Sequence, residues 1–100
     1  MRAPESISQK FTTQTSTAAV VLVGGQYQLA GSSTTWNGAV LTLDQLMPDG
    51  VTWVANAPLT NTHANGVHTD YLPGGQYRLT VGTATPTDPV YAALVRIPAE

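Results

Sequence analysis

The sequence predicts an all-β antiparallel sandwich of about eight strands, and three observations carry that expectation. Turn signals recur at short intervals, the segments between them alternate apolar and polar residues, and no stretch holds an apolar stripe over three helical turns. Composition points the same way. Fifteen Thr and five Ser stand in a chain of 100 residues of which only 10% are charged, where an ordinary soluble domain carries about 25%. Thr suits strands, whereas Lys and Glu, scarce here, suit helices. A chain of this length forms one domain, with no room for a second core.

The first strand is expected over residues 7–13, a polar Gln/Thr/Ser mixture around Phe11. The whole segment 1–17 reads either as an edge strand or as an arm that orders against a partner, with residues 18–100 forming the domain proper. Read as an arm, residues 1–15 are dispensable for folding. Residues 18–23 are the longest apolar run and form a second strand, far too short to cross a membrane. Gly24-Gly25 then reverses the chain into a strand over 26–30, in which Tyr27 and Leu29 oppose Gln26 and Gln28. Asn37-Gly38 opens a strand over 39–46 with Leu41 and Leu43 on one face. Met47-Pro48-Asp49-Gly50-Val51 is a hairpin connection: Pro suits the first corner of a type I turn, and Gly the left-handed residue that realigns the strands. It leads into 51–55, with Val51 and Trp53 on one side. Asn65-Gly66 starts a strand over 66–71, and Pro73-Gly74-Gly75 one over 76–81. There Tyr77, Leu79 and Val81 face one way while Gln76, Arg78 and Thr80 face the other. A loop between Pro86 and Pro89 precedes the last strand, 90–97.

One internal echo stands out. Gly24-Gly25-Gln26-Tyr27-Gln28-Leu29 recurs fifty residues later as Gly74-Gly75-Gln76-Tyr77-Arg78-Leu79. At the same offset Val40 matches Val90 and Pro48 matches Pro98. Either one turn chemistry is used twice, with Gly-Gly allowing positive φ before an alternating strand, or the chain holds two half-domains related by pseudo-symmetry.

Several function classes are excluded or weakened at this stage. The four basic residues (Arg2, Lys10, Arg78 and Arg96) are scattered and build no phosphate-tracking patch, so no nucleic-acid partner is expected. Without cysteine there is no disulfide scaffold, thiolate zinc site or Cys nucleophile. The start Met-Arg-Ala-Pro-Glu-Ser lacks the apolar segment of a secretory signal, which predicts no Sec export. No Gly-x-Ser-x-Gly occurs to mark a Ser-His-Asp hydrolase. Of the carboxylates that glycoside cleavage would pair (Asp44, Asp49, Asp70 and Asp88), Asp49 is explained by its turn and Asp88 by its Pro-flanked loop. His68 and Asp70, two apart on a strand, share a face, with His63 in the preceding loop. They are the best metal candidates, but the favoured reading is bland: His63 a loop residue, and His68 and Asp70 on a solvated sheet face. The Gly-Gly turns lack the Lys-Ser/Thr and the helix of a phosphate loop. The expectation is therefore no enzyme, no cofactor and no metal. Trp36, in a loop before Asn-Gly, reads either as a lid over the core or as a contact anchor, and Tyr71 as an aromatic that a sugar could stack on.

Residues 29–43, Leu46-Met-Pro-Asp-Gly-Val-Thr-Trp-Val54, Leu72-Pro-Gly-Gly-Gln-Tyr-Arg-Leu79 and Val90-Tyr-Ala-Ala-Leu-Val-Arg-Ile-Pro98 together resemble the small virion proteins of tailed bacteriophages. The resemblance covers residues 20–98. Within that group the nearest characterised class is the capsid decoration or cement proteins, and it implies a jelly-roll-like sandwich. The implied role is non-enzymatic: decorating or cementing the capsid shell, on the virion surface, after synthesis in the host cytoplasm. The implied partners are the major capsid protein and copies of this chain in a small homo-oligomer, with no nucleic acid and no membrane. Contacts would come from the segment around Phe11, from the loop 31–38 with Trp36 as anchor, and from Tyr71. The alternative is a head-fibre or tail-fibre module that binds a host-surface glycan through Trp36, Tyr71 and residues 63–70.

Overall fold

The computed structural model describes residues 6–97. In chain order it forms β1 (Ser6–Phe11), β2 (Val20–Leu22), β3 (Gly25–Ser32), β4 (Val40–Leu46), β5 (Trp53–Thr62), β6 (Gly66–Leu72), β7 (Gly75–Gly82) and β8 (Val90–Ile97), with no helix among the described residues. The strands build two four-stranded sheets, ordered β1-β8-β3-β6 and β2-β7-β4-β5, and every pairing is antiparallel. This is the jelly-roll connectivity of two interlocked Greek keys. It agrees with the expected fold class and adds the strand order, which local sequence does not encode.

Alternation explains the core. Tyr27, Leu29, Ala92, Leu94 and Phe11 point inward from the first sheet, and Leu22, Leu41, Leu43, Tyr77, Leu79 and Val81 from the second; all are buried. Burying each of the larger aliphatic or aromatic side chains contributes roughly 1.5–3 kcal/mol, and these two inner faces hold the sheets together.

Most strands lie within two residues of their expected limits, and β5 is the exception: it continues well past residue 55 to Thr62. Ala55 and Thr60, five residues apart, face Asp44 and Thr42, two residues apart, so β5 carries a large bulge. Asn56 holds it, accepting the Leu59 amide on its side-chain oxygen and the Thr60 hydroxyl on its carbonyl. Pro58 sits in the bulge on an edge strand, where its missing N–H breaks no ladder bond. The break in alternation is what hides this half-strand from the sequence.

The hairpin before β5 matches its expectation. The Gly50 amide donates to the Met47 carbonyl at 3.0 Å, and Gly50 has φ of +77°. Asp49 accepts the amides of Val51 and Thr52 and the Thr52 hydroxyl. Those bonds, the hydroxyl foremost, hold its carboxyl down from 3.8 to about 2.

The internal echo has structural meaning. Strand by strand, β1, β2, β3 and β4 correspond to β5, β6, β7 and β8, and this exchange turns the order of one sheet into that of the other reversed. Gly25 pairs with Leu72 as Gly75 pairs with Leu22. The Tyr27 hydroxyl donates to the Val23 carbonyl at 2.6 Å, and the Tyr77 hydroxyl to the Pro73 carbonyl at 2.6 Å. Both resemble the tyrosine corner of Greek-key sandwiches, in which a phenol ties its strand to the chain just upstream. Burial pushes the Tyr77 phenol pKa up, with the Tyr27 phenol and Asp70 acting in the same direction. The two Gly-Gly corners touch at the pseudo-two-fold axis. A Cβ on Gly24 would lie 3.2 Å from the Gly74 nitrogen, and one on Gly74 would lie 3.5 Å from that of Gly24. The match of Val40 with Val90, however, is one residue out. Leu79 pairs with Leu43, whereas Leu29 pairs with Leu94, so β4 and β8 correspond at an offset of 51. Ala39, not Val40, is the buried counterpart of Val90. Pro98 lies outside the described residues.

Candidate interaction face

The three residues expected to make contacts have different fates. Phe11 is fully buried at the end of β1, opposite Val90. It is a core residue, and the segment around it is the edge strand of the first sheet, so the reading of residues 6–11 as a detached arm is corrected. Ile7 is buried on the same strand, because inward parity places residues 7 and 11 alike against the opposite sheet. Trp36 is 6% exposed, which corrects its reading as a contact anchor and favours the lid. Its indole N–H donates to Asn65 Oδ1 at 2.8 Å, and the Ser33 amide donates to the same oxygen at 2.8 Å. The Asn37-Gly38 turn, with both φ positive, folds the indole back over one end of the sandwich. Tyr71 alone is open, at 67% exposure on the outer side of β6.

The metal candidates do not converge. The His63 ring sits in the turn after β5 with Nδ1 3.0 Å from the Ala39 carbonyl oxygen, and Asp70 Oδ2 accepts from Asn56 at 3.4 Å. Among the described residues no three His, Cys, Asp or Glu side chains come together in a way that could hold an ion.

The feature that local reading missed is the contrast between the two outer sheet surfaces. On the second sheet, Asp44 of β4 is buried by its neighbours. It accepts the hydroxyls of Thr42 and Thr80 at 3.0 and 2.8 Å and pairs with Arg78 Nε at 3.5 Å. The Arg78 guanidinium lies 4.4 Å above the Trp53 ring. Ser16, bridged to Thr80 beyond the end of β2, extends this polar row with a 2.9 Å hydroxyl contact. Asp44, Arg78, Thr42, Thr80 and Ser16 on this surface therefore hold one another within the chain.

Among the described residues, the outer surface of the first sheet has no such network. Register aligns Lys10, Tyr91 and Ser32 in one row across the strands, then Ser8, Ala93, Ala30 and Val67. The next rows are Ser6, Val95, Gln28 and Thr69, and finally Ile97, Gln26 and Tyr71. Lys10, at a corner and 5.9 Å from the Tyr91 ring centre, is the one charged residue in these rows. Val67, Tyr71, Tyr91 and Val95 are each at least half exposed. Ala30 and Ala93, flanked by Val67 and Tyr91, floor an open depression of about 420 Å³. At pseudo-equivalent places, Val95, Ala93, Ala30 and Gln28 stand where the second sheet has Asp44, Thr42, Thr80 and Arg78. Gln28 against Arg78 is the one difference within the repeated hexapeptide. A signal was thus present in the sequence, but only the strand order turns it into a surface.

Compared with known proteins, the chain matches no family model, and none of the curated proteins matches its sequence.

Proposed function

We propose that this chain is a non-enzymatic structural protein of a tailed-phage virion that decorates or cements the capsid shell. The observation that carries the reading is the outer surface of the β1-β8-β3-β6 sheet: four rows of small, apolar and uncharged polar side chains, with Lys10 at one corner their one charge. Such a surface meets a neighbour with little desolvation of ions. Repetition on a symmetric shell lets each contact be modest, because copies act together. The resemblance to small virion proteins supplies the setting.

The glycan-binding alternative draws less support from the geometry. With Trp36 inside, the exposed tyrosines Tyr71 and Tyr91 would have to form the stacking platform. They lie at opposite ends of the rows, six residues apart along β3, a span of roughly 20 Å. That exceeds a single sugar ring.

The test is addition of the purified protein to capsids that lack it, over a salt series, with occupancy read by cryo-electron microscopy. The expected result is density at symmetry-related shell positions that survives high salt, since an uncharged contact is little screened. Density confined to a fibre or tail, or no binding at any salt, overturns the reading.

A further inference from the structure

We propose that the outer face of the β1-β8-β3-β6 sheet is a self-complementary surface that takes a second copy of this chain, face to face and two-fold symmetric. The inference deepens the assembly role proposed above and rests on it for biological setting, but its physical argument is independent. A two-fold interface needs each feature on one copy to meet its complement elsewhere on the same patch. This face has that property. At one end Tyr71 stands out, 67% exposed; toward the other lies the depression floored by Ala30 and Ala93 and flanked by Val67. A two-fold axis lying between two such faces and running across the strands exchanges the first row with the last and the second with the third. The partner's Tyr71 then arrives at the depression beside Val67, and the reciprocal contact forms at once. Two aligned sheets pack in this manner when small residues let them approach.

Charge and size agree. Under the same rotation the two Lys10 side chains fall at opposite ends of the β1 edge and do not meet, so no like charges are opposed. Four strands about 4.8 Å apart and seven residues of about 3.3 Å rise give a face of roughly 19 by 23 Å. Two such faces remove about 900 Å² before side-chain relief is counted, below the roughly 1,200 Å² of stable interfaces and in the range of weak, transient ones. The dimer is therefore a weak one. The outer surface of the second sheet offers no equivalent, because its Asp44 and Arg78 already hold each other and their neighbours.

The experiment is sedimentation equilibrium of the full chain from about 1 μM to about 1 mM, a range that covers weak self-association. The expected result is a monomer–dimer equilibrium. Tyr71→Ala weakens it at least tenfold, and Ala93→Glu, which puts a carboxylate on the depression floor, abolishes it. Gln28→Arg with Val95→Asp copies onto this face the pair that the second sheet already tolerates, and it abolishes the dimer without depending on how Ala93→Glu folds. Val21→Glu, exposed on the opposite sheet, leaves the equilibrium unchanged. A chain that stays monomeric throughout, or a dimer that survives both charged variants, overturns the proposal. The two readings fail separately. A monomer that still occupies capsids removes the dimer alone, and a dimer that binds no capsid removes the virion role alone.

Discussion

The two outer surfaces of the sandwich are pseudo-symmetric in backbone and opposite in chemistry. Over β4 and β7, Asp44 gathers Thr42, Thr80 and Arg78, and the guanidinium covers Trp53. At the equivalent places over β8 and β3 stand Val95, Ala93, Ala30 and Gln28. The inner faces of the same strands have not diverged in this way: Leu29 and Leu79, Tyr27 and Tyr77, Leu94 and Leu43 are all fully buried. The two-fold repeat is thus a property of the core. What distinguishes one surface from the other is where a specific partner could tell them apart.

The comparison can be broken most strongly from the inside. Phe11→Ala empties a fully buried site that both sheets share, and a loss of about 3–5 kcal/mol is expected in urea denaturation. Removal of residues 1–15, which takes Phe11 and Ile7 together, should abolish the cooperative transition; a truncated chain that still unfolds cooperatively would restore the arm reading. The second effect sharpens the contrast between surfaces. Asp44→Ala strands Thr42, Thr80 and Arg78, and a cost of about 1–3 kcal/mol follows. Its pseudo-equivalent Val95→Ala should stay within about 0.5 kcal/mol, as exposed positions do. Equal costs at the two sites would mean that the Asp44 network adds nothing to the fold.

A third, smaller effect tests the repeat itself. Tyr27→Phe and Tyr77→Phe each delete one phenol-to-carbonyl bond of the same length, so each should cost about 1 kcal/mol, with the two values alike. The smallest lies in the hairpin. The carboxyl of Asp49 is held at about 2, below its ordinary 3.8, chiefly by Thr52. A depressed folded value means that the stabilisation is present above the ordinary value and disappears as pH falls through about 2. The stability difference between the natural chain and Asp49→Asn should therefore close on acidification across that window. A difference that persists unchanged below it would assign the effect to the turn backbone instead.

Local sequence carried the strand positions because alternation and turn chemistry act over a few residues. Tyr77-Arg78-Leu79 and the Pro48-Asp49-Gly50 turn read directly. It failed where a tertiary contact overrides the local pattern. The second half of β5 lacks alternation because a bulge pinned by Asn56 interrupts it. Phe11 looks isolated in a polar stretch until β8, some eighty residues away, supplies its neighbours. Trp36 looks exposed until Asn65, far along the chain, accepts its N–H. The candidate face was illegible for the same reason. Its rows draw on four strands from both ends of the sequence, and no window of residues contains them.

The pairing of β1 with β8 has a further consequence for when the first sheet comes into being. β8 sits between β1 and β3, yet of the eight strands the ribosome makes it last. Until Val90–Ile97 emerges, β1 has no ladder, and the rows of Ala93, Val95 and Tyr91 do not exist. The second sheet, built from β2, β7, β4 and β5, has all its strands earlier. Long-range pairing of this kind is slow, and a growing chain is at its most vulnerable while sheet edges stay open. In this topology the proposed docking surface is withheld until β8 emerges: nascent chains crowded on a polysome have nothing to dimerise with before that strand is made.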